Sequence, residues 1–179
     1  RRGEKEGTPY HVVHFDGHGV YLQDKGLGAL CFEAVNQKEK LVDRKTHVVD
    51  AAELTGRLKA FRIPLVFLDA CQGAKTELLP TSSVAAALLD HGVAAVAAMS
   101  HSVLVVTAKE FVTVFYQELA KGARVGEAML AGQRHLYNHK HRGHYLGAGE
   151  LELHDWFVPV LYQEEGDPSL VVQVPSKTA

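Results

Sequence analysis

Short runs of apolar residues, each bounded by a turn signal, predict the strands of this protein. They occupy residues 10–15, 65–68, 93–99 and 156–162. The first run is expected to end in a loop at residues 16–19, because aspartate and glycine favour turns. The second and third runs contain no polar residue, which is typical of strands buried on both faces.

A hairpin, an exposed loop and a capped helix are predicted between the first two of these strands. Residues 20–22 and 29–32 are rich in strand formers and flank a turn, so they predict a β-hairpin. The charged residues at 36–47 predict an exposed loop. Asp50 and Glu53 then have the spacing of a capping box at the start of a helix.

Three further helices follow from a period of three to four residues between apolar positions. Ser82 or Ser83 is expected to cap a helix over residues 84–91, which Gly92 ends. Two longer helices have apolar faces formed by Ala108, Phe111, Val112, Phe115, Tyr116 and Leu119, and by Val125, Ala128, Met129, Gly132 and Leu136. Alternating strands and helices predict an α/β fold: a mostly parallel sheet with helices on both faces, in one domain over residues 1–179.

The composition excludes several classes of protein. The 179 residues are 46% hydrophobic and 22% charged, as in an ordinary globular domain. The net charge is −2, so no basic excess indicates a nucleic acid or an anionic membrane as partner. Two cysteines are too few for a disulfide framework, and no apolar run approaches the ~20 residues that span a bilayer. Because the N-terminus also lacks the apolar core of a signal peptide, we expect a cytoplasmic protein. The absence of an initiator methionine suggests a piece of a longer chain.

Two segments place reactive side chains at the carboxyl ends of predicted strands, where open parallel sheets bind ligands. His18 follows the first strand and Cys71 follows the second. An imidazole can generate the thiolate that serves as a nucleophile, and the backbone N–H groups of Gly19 and Cys71 are candidate oxyanion donors. A single cysteine after a strand is more often a small buried apolar residue, and a single histidine before glycine is more often an ordinary loop residue. Together they favour a catalytic dyad.

Several motifs, in order along the chain, resemble the CHAT domain. The sequence Asp-Ala-Cys-Gln-Gly at residues 69–73 is close to the caspase nucleophile signature, in which the catalytic histidine lies about 50 residues upstream. Here His18 precedes Cys71 by 53 residues. The other matching segments are residues 14–19, 83–99, 115–119 and 155–162, and the resemblance covers residues 10–163.

This resemblance implies a caspase-like fold, a three-layer α/β/α sandwich, and membership of the cysteine peptidase clan that includes caspases, metacaspases and separase. His18 matches the catalytic histidine and Cys71 the nucleophile, and Gly19 and Cys71 match the oxyanion donors. No cofactor and no metal are required by this chemistry. The resemblance also implies that the domain is the effector module of a larger sensor protein, with regulatory domains or a partner protein, in bacterial defence or programmed death.

Three further residues match substrate-binding positions of the clan. Asp69 stands where metacaspases have the aspartate that lines the S1 pocket and favours a basic substrate residue; the alternative is that it orients the nucleophile loop by hydrogen bonds. Ser100 and His101 lie where caspases build part of the substrate groove. We expect activation to remodel residues 74–80 and 100–102.

The chain also departs from the clan. Caspase-like folds have further strands and a helix before the strand that carries the histidine, whereas only nine residues precede Tyr10. Either the chain lacks the N-terminal strands of the domain or its sheet is smaller than that of the family.

The remaining conspicuous residues predict structure rather than chemistry. Cys31 is expected to be a structural strand residue, and Trp156 is expected to lie in the core. Four histidines follow the last long helix and predict an exposed polar helix end more than a zinc site: His135, His139, His141 and His144.

Three functional hypotheses remain open at this stage. The first is a cysteine endopeptidase that acts on a protein or peptide substrate. The second is a catalytically silent caspase-like scaffold that binds a partner. The third is another Cys/His hydrolase acting on small esters or amides.

Overall fold

The computed structural model describes residues 10–34, 45–59, 61, 63–72, 80–145, 147, 149–164 and 166–170. Its elements, in chain order, are β1 (Val12–Leu22), β2 (Leu27–Glu33), β3 (Thr46–Asp50), α1 (Ala51–Lys59), β4 (Leu65–Gln72), α2 (Pro80–Asp90), β5 (Ala95–Met99), α3 (Val105–Ala120), α4 (Val125–Asn138), β6 (His141–Tyr145), β7 (Gly149–Glu152) and β8 (Pro159–Gln163).

A six-stranded sheet with the order β3-β2-β1-β4-β5-β8 forms the middle of the molecule. β1, β4 and β5 are parallel neighbours, while β2 and β8 run antiparallel to their neighbours. β3 is antiparallel to β2, so four of the six strands run in one direction. The expected mostly parallel sheet is therefore confirmed. The small antiparallel sheet of β6 and β7 was not predicted.

Apolar layers on both faces of the sheet confirm the three-layer sandwich. On one face, α1 and α2 pack against alternate residues of β4, including Val66 and Leu68. On the other face, α3 and α4 pack against the intervening residues, including Leu65 and Phe67. All four of these side chains are at most 1% exposed, as expected of a strand buried on both faces.

Both strands that carry the candidate dyad are longer than predicted. β1 continues through residues 16–19, so the loop predicted there is wrong, and β4 continues beyond residue 68 to Gln72. The reason is pairing: β1 and β4 form a continuous parallel ladder from Val12 opposite Leu65 to Gly19 opposite Gln72. Ladder hydrogen bonds outweigh the low strand propensity of aspartate and glycine.

Other element boundaries are confirmed or corrected. The Glu53 amide donates to Asp50 Oδ1 at 3.0 Å, which confirms Asp50 as the cap of α1. α2 begins at Pro80 rather than at a serine cap, because proline suits the first turn of a helix. Gly92 has φ of +90° where α2 ends, as predicted. β8 begins at Pro159 instead of Trp156.

The predicted exposed loop at residues 36–47 is wrong in its last part. Residues 46 and 47 begin β3, which pairs with β2. Residues 36–44 of that loop and residues 74–79 lie outside the described residues.

The predicted faces of the two long helices meet at a glycine. Gly132 of α4 is buried, and a Cβ at this position would lie 2.5 Å from Cε2 of Phe111 on α3. Phe111 is itself 0% exposed and stacks on Phe115 with ring centroids 5.6 Å apart. The ring therefore has little room to move, and the small residue sets how closely α3 and α4 approach.

Gly132→Ala is expected to lower the free energy of unfolding by about 1–3 kcal/mol, the usual cost of overpacking a core. Chemical denaturation measures this change. Gly56→Ala is the matched control, since Gly56 is an exposed residue of α1 with nothing within 4 Å of an added Cβ. That variant should gain up to about 1 kcal/mol from helix propensity. A Gly132→Ala protein as stable as the parent would contradict the close helix contact.

Candidate active site

Three register pairs of the β1–β4 ladder occupy positions on the sheet face covered by α3 and α4. The pairs are His14 with Phe67, Asp16 with Asp69, and His18 with Cys71. Residues two apart on a strand share a face. Phe67 belongs to the core formed with α3 and α4, which identifies the face. The three pairs run in sequence toward the carboxyl end of β4.

The first pair forms an aromatic base for this ladder. The His14 ring stacks on Phe67 with centroids 4.6 Å apart, and its Nδ1 lies 2.9 Å from the Tyr116 hydroxyl of α3. Phe67 is fully buried, whereas His14 is exposed. Burial raises the pKa of Tyr116 to about 12, so this hydroxyl stays protonated at neutral pH.

The second pair places two carboxylates directly opposite each other. Asp16 is exposed and Asp69 is half-buried. Burial and the negative charge of Asp16 both raise the pKa of Asp69, and His14 partly offsets this rise. Like charges on opposed strand positions are destabilising, so this pair is a local cost to the fold.

The third pair brings together the two predicted catalytic residues. His18 and Cys71 are register partners on adjacent parallel strands, which places their Cα atoms about 4.8 Å apart. His18 is exposed. Gly19 is buried and forms the last pair of the ladder, with Gln72. Register partners on adjacent strands are close enough in backbone position for a base and a nucleophile to be placed side by side.

Cys31 lies on the opposite side of His18, which the sequence did not reveal. The β1–β2 register pairs His18 with Cys31, so the histidine stands between the two cysteines of the chain. Burial raises the pKa of the Cys31 thiol, which disfavours its thiolate. The two cysteines are two strand spacings apart, about 9.6 Å, which is too far for a disulfide in this register. The length of the turn between β1 and β2 is the sequence feature from which this pairing could have been predicted.

The two other predicted substrate-binding residues lie one strand farther across the sheet. Ser100 and His101 directly follow β5, the parallel neighbour of β4, so they lie at the same edge of the sheet as the dyad. The Ser100 hydroxyl donates to the Val158 carbonyl at 2.8 Å and lies 2.9 Å from His101 Nδ1. Because that hydroxyl proton is used, Nδ1 of a neutral His101 carries the ring proton and Nε2 is its acceptor.

A buried ion pair anchors the segment that holds Ser100. Arg142 Nη2 donates to Asp155 Oδ1 at 2.6 Å, and the Arg142 side chain is completely buried. Thr107 of α3 also donates to Asp155, at 2.5 Å. Although burial opposes ionisation, the bonds from Arg142 and Thr107 lower the pKa of Asp155. The Val158 amide donates to the Asp155 carbonyl, and the Val158 carbonyl then receives both the amide and the hydroxyl of Ser100.

Trp156, which was predicted to lie in the core, lies elsewhere. Trp156 is 38% exposed and packs edge-on against Tyr137 and Phe157, so its assignment to the core is wrong. It lies in the turn before β8 and contacts the exposed ring of Tyr137 on α4 instead of the buried core.

Part of the segment that was predicted to be a polar helix end belongs to the two-stranded sheet of β6 and β7. His135 and His139 stack at the end of α4 with centroids 4.3 Å apart, whereas His141 and His144 belong to β6 and contact Glu150 of β7. Within the ranges given above, no group of three or more potential ligands is arranged to hold a metal ion.

Two cavities differ in their relation to these residues. One, of about 460 Å³, opens on the face of α1 and α2 between largely apolar side chains of the sheet and α1, and His14 is also among its lining residues. The other, of about 330 Å³, lies beside the segment after β5 and is lined by Ser102, Leu104, Leu153 and Asp155 among others.

Comparison with known proteins adds a family assignment. The family model of the CHAT domain matches residues 3–163 of the 179-residue chain. No curated protein sequence matches the chain significantly. Among the helices of the described residues, none is long and apolar enough to cross a membrane.

Asp69→Asn is expected to raise the melting temperature at pH 7. The pKa of Asp69 is raised in the folded protein, so the charged form costs stability above that pKa, and the cost disappears below the unfolded value of about 3.9. The gain should therefore shrink as the pH falls to about 3. Asp16→Asn should give a gain of the same sign, since it removes the repulsion. Calorimetry from pH 3 to 7 tests both variants, and a lower melting temperature for Asp69→Asn at pH 7 would contradict this account.

Proposed function

Because the chain belongs to the CHAT domain family, which is associated with the caspase-like peptidase clan, we propose that it is a cysteine endopeptidase with a His18–Cys71 dyad. The observation that supports this most strongly is the register of β1 and β4, in which His18 and Cys71 are direct partners. Two residues separated by 53 positions in sequence thereby become neighbours on one sheet face.

The proposed reaction has two halves. His18 takes the thiol proton, and the Cys71 sulfur forms a bond to the scissile carbonyl carbon. The backbone N–H groups of Gly19 and Cys71 stabilise the oxyanion. When the tetrahedral intermediate collapses, the C–N bond breaks and the leaving amine takes the proton from His18. A water molecule, deprotonated by His18, then attacks the acyl-enzyme and releases the acid and the thiol.

The finer assignments rest on the same sheet edge. Asp69 would line the S1 pocket, since it lies two residues before Cys71 on β4. Ser100 and His101 would border the substrate on the side of β5. The exposed Nε2 of His101 is available to bond a substrate N–H, because Ser100 engages Nδ1. No cofactor is needed for this chemistry. The substrate would be a protein or peptide, and regulatory domains or a partner protein would control access to it.

Alkylation of Cys71 is the first test of the dyad. In a Cys31→Ala background, we expect Cys71 to react with iodoacetamide well below the free-thiol pKa of ~8.5. Replacing His18 with alanine should slow the reaction at pH 6.5 by about tenfold or more, because an unassisted thiol is then about 1% ionised. Peptide mass spectrometry identifies the modified residue.

The controls follow from the structure. Cys31 neighbours His18 and is unsuitable as an internal reference, hence its removal. His11→Ala, at an exposed position before β1, should leave the rate unchanged. Equal and slow alkylation with and without His18 would contradict the dyad and favour a catalytically silent scaffold.

Hydrolysis separates the endopeptidase from the small-molecule hydrolase. We expect an unbiased peptide library to be cleaved by the chain and not by its Cys71→Ala variant, with fragments read by mass spectrometry. Turnover of a simple aryl ester without any peptide cleavage would instead indicate the third hypothesis. If neither activity is detected and Cys71 is also unreactive, partner binding by a silent scaffold is the remaining hypothesis.

A further inference from the structure

The buried ion pair of Arg142 and Asp155 carries an inference that rests on the proposed function and extends it. The Arg142 guanidinium binds both oxygens of the carboxylate, with Nη2 donating to Oδ1 at 2.6 Å and Nε donating to Oδ2 at 3.0 Å. Thr107 donates to the same carboxylate. Replacing a buried ion pair with apolar side chains is often neutral or stabilising, so stability alone does not account for this pair. The pair does fix the position of Asp155.

Asp155 begins a turn that ends at Val158. The Val158 amide donates to the Asp155 carbonyl at 3.1 Å, and β8 follows at once, with Pro159 opposite Met99 of β5. The Val158 peptide is therefore held at one end by the strand ladder and at the other end by Asp155. Because Asp155 lies outside the strands, its anchors are the side chains from β6 and α3.

The Val158 carbonyl holds the chain where it leaves β5. It accepts hydrogen bonds from the amide and from the hydroxyl of Ser100, both at 2.8 Å. Just beyond Ser100 lies the cavity of about 330 Å³, which has Ser102 and Leu104 on one wall and Asp155 and Val158 on the other. Because packing does not fill this space, the hydrogen bonds to Val158 set the position of the segment that carries His101.

These contacts also determine which nitrogen of His101 carries the proton. The Ser100 hydroxyl donates its proton to the Val158 carbonyl, so its oxygen accepts from His101 Nδ1, which lies 2.9 Å away. Nε2 of the neutral ring is then an acceptor. A neutral histidine side chain in water favours the opposite form, with the proton on Nε2, so the form at His101 is imposed by the fold.

We propose that Arg142 and Asp155 are positioning residues for substrate binding. Through the turn and Ser100, they hold His101 in the form whose exposed Nε2 accepts a hydrogen bond from a backbone N–H of a peptide substrate. Arg142 stands among the histidines that predicted an exposed polar helix end, and nothing in that pattern indicated a buried side chain.

Nuclear magnetic resonance of the His101 ring tests this inference without a substrate. At about pH 9, where imidazoles are neutral, long-range proton–nitrogen correlation gives the ratio of the Nδ1–H to the Nε2–H form, and a His101→Gln variant assigns the signals. We expect the Nδ1–H form to dominate in the parent chain. Ser100→Ala should lower the ratio by about fivefold or more, the equivalent of one hydrogen bond, and Asp155→Asn and Arg142→Lys by about threefold or more.

Two further variants keep the test decisive. Arg134→Lys, at an exposed position of α4, is the matched control for Arg142→Lys and should leave the ratio unchanged. If the variants of the ion pair do not fold, Thr107→Val decides, because it removes one bond to Asp155 and should lower the ratio by about twofold. The inference is overturned if the Nε2–H form dominates in the parent chain, or if the folded variants that decide the test keep the parent ratio.

Kinetics separates this inference from the proposed function. For a peptide that the library test finds to be cleaved, Asp155→Asn should raise KM by about fivefold and leave kcat unchanged, as expected for the loss of one binding contact. The iodoacetamide rate of Cys71 should also be unchanged, so its loss would indicate failure of the dyad and not of the positioning. An unchanged KM together with a lowered tautomer ratio would overturn the role of His101 in substrate binding.

Discussion

The parallel ladder between β1 and β4 sets which residues become neighbours at the candidate site. Eight consecutive residue pairs hold the two strands in one register, from Val12 opposite Leu65 to Gly19 opposite Gln72. Shifting this register by one residue would move every side chain of one strand to the other face of the sheet. His18 would then no longer stand beside Cys71, so the candidate chemistry exists only in this register.

The two apolar layers are what fix that register. β4 contributes Val66 and Leu68 to one layer and Leu65 and Phe67 to the other. A one-residue slip would leave these side chains without their partners on α2, α3 and α4. The carboxylate pair Asp16–Asp69 opposes the fold, and its cost is small beside the burial of such residues at about 1.5–3 kcal/mol each.

A second, buried set of polar contacts shapes the same edge of the sheet from the other side. Arg142 joins the β6–β7 sheet to Asp155, and Asp155 holds the turn whose Val158 carbonyl binds Ser100. A buried ion pair adds little net stability over apolar packing, but breaking it is costly. Its effect here is positional: it connects a hairpin about 40 residues downstream to the segment that follows β5.

The class of fold and the candidate pair His18 and Cys71 were predictable from the amino-acid sequence. Uninterrupted apolar runs predict buried strands, and the helical period predicts the faces that meet at Gly132, because both patterns depend on local geometry alone. His18 and Cys71 were recognisable from their residue types and motifs. Local strand propensity could not predict that β1 and β4 continue through aspartate and glycine, because this extension depends on pairing between the two strands. Strand register also placed Asp16 against Asp69 and Cys31 against His18, because hydrogen bonds between residues distant in sequence set which positions become neighbours.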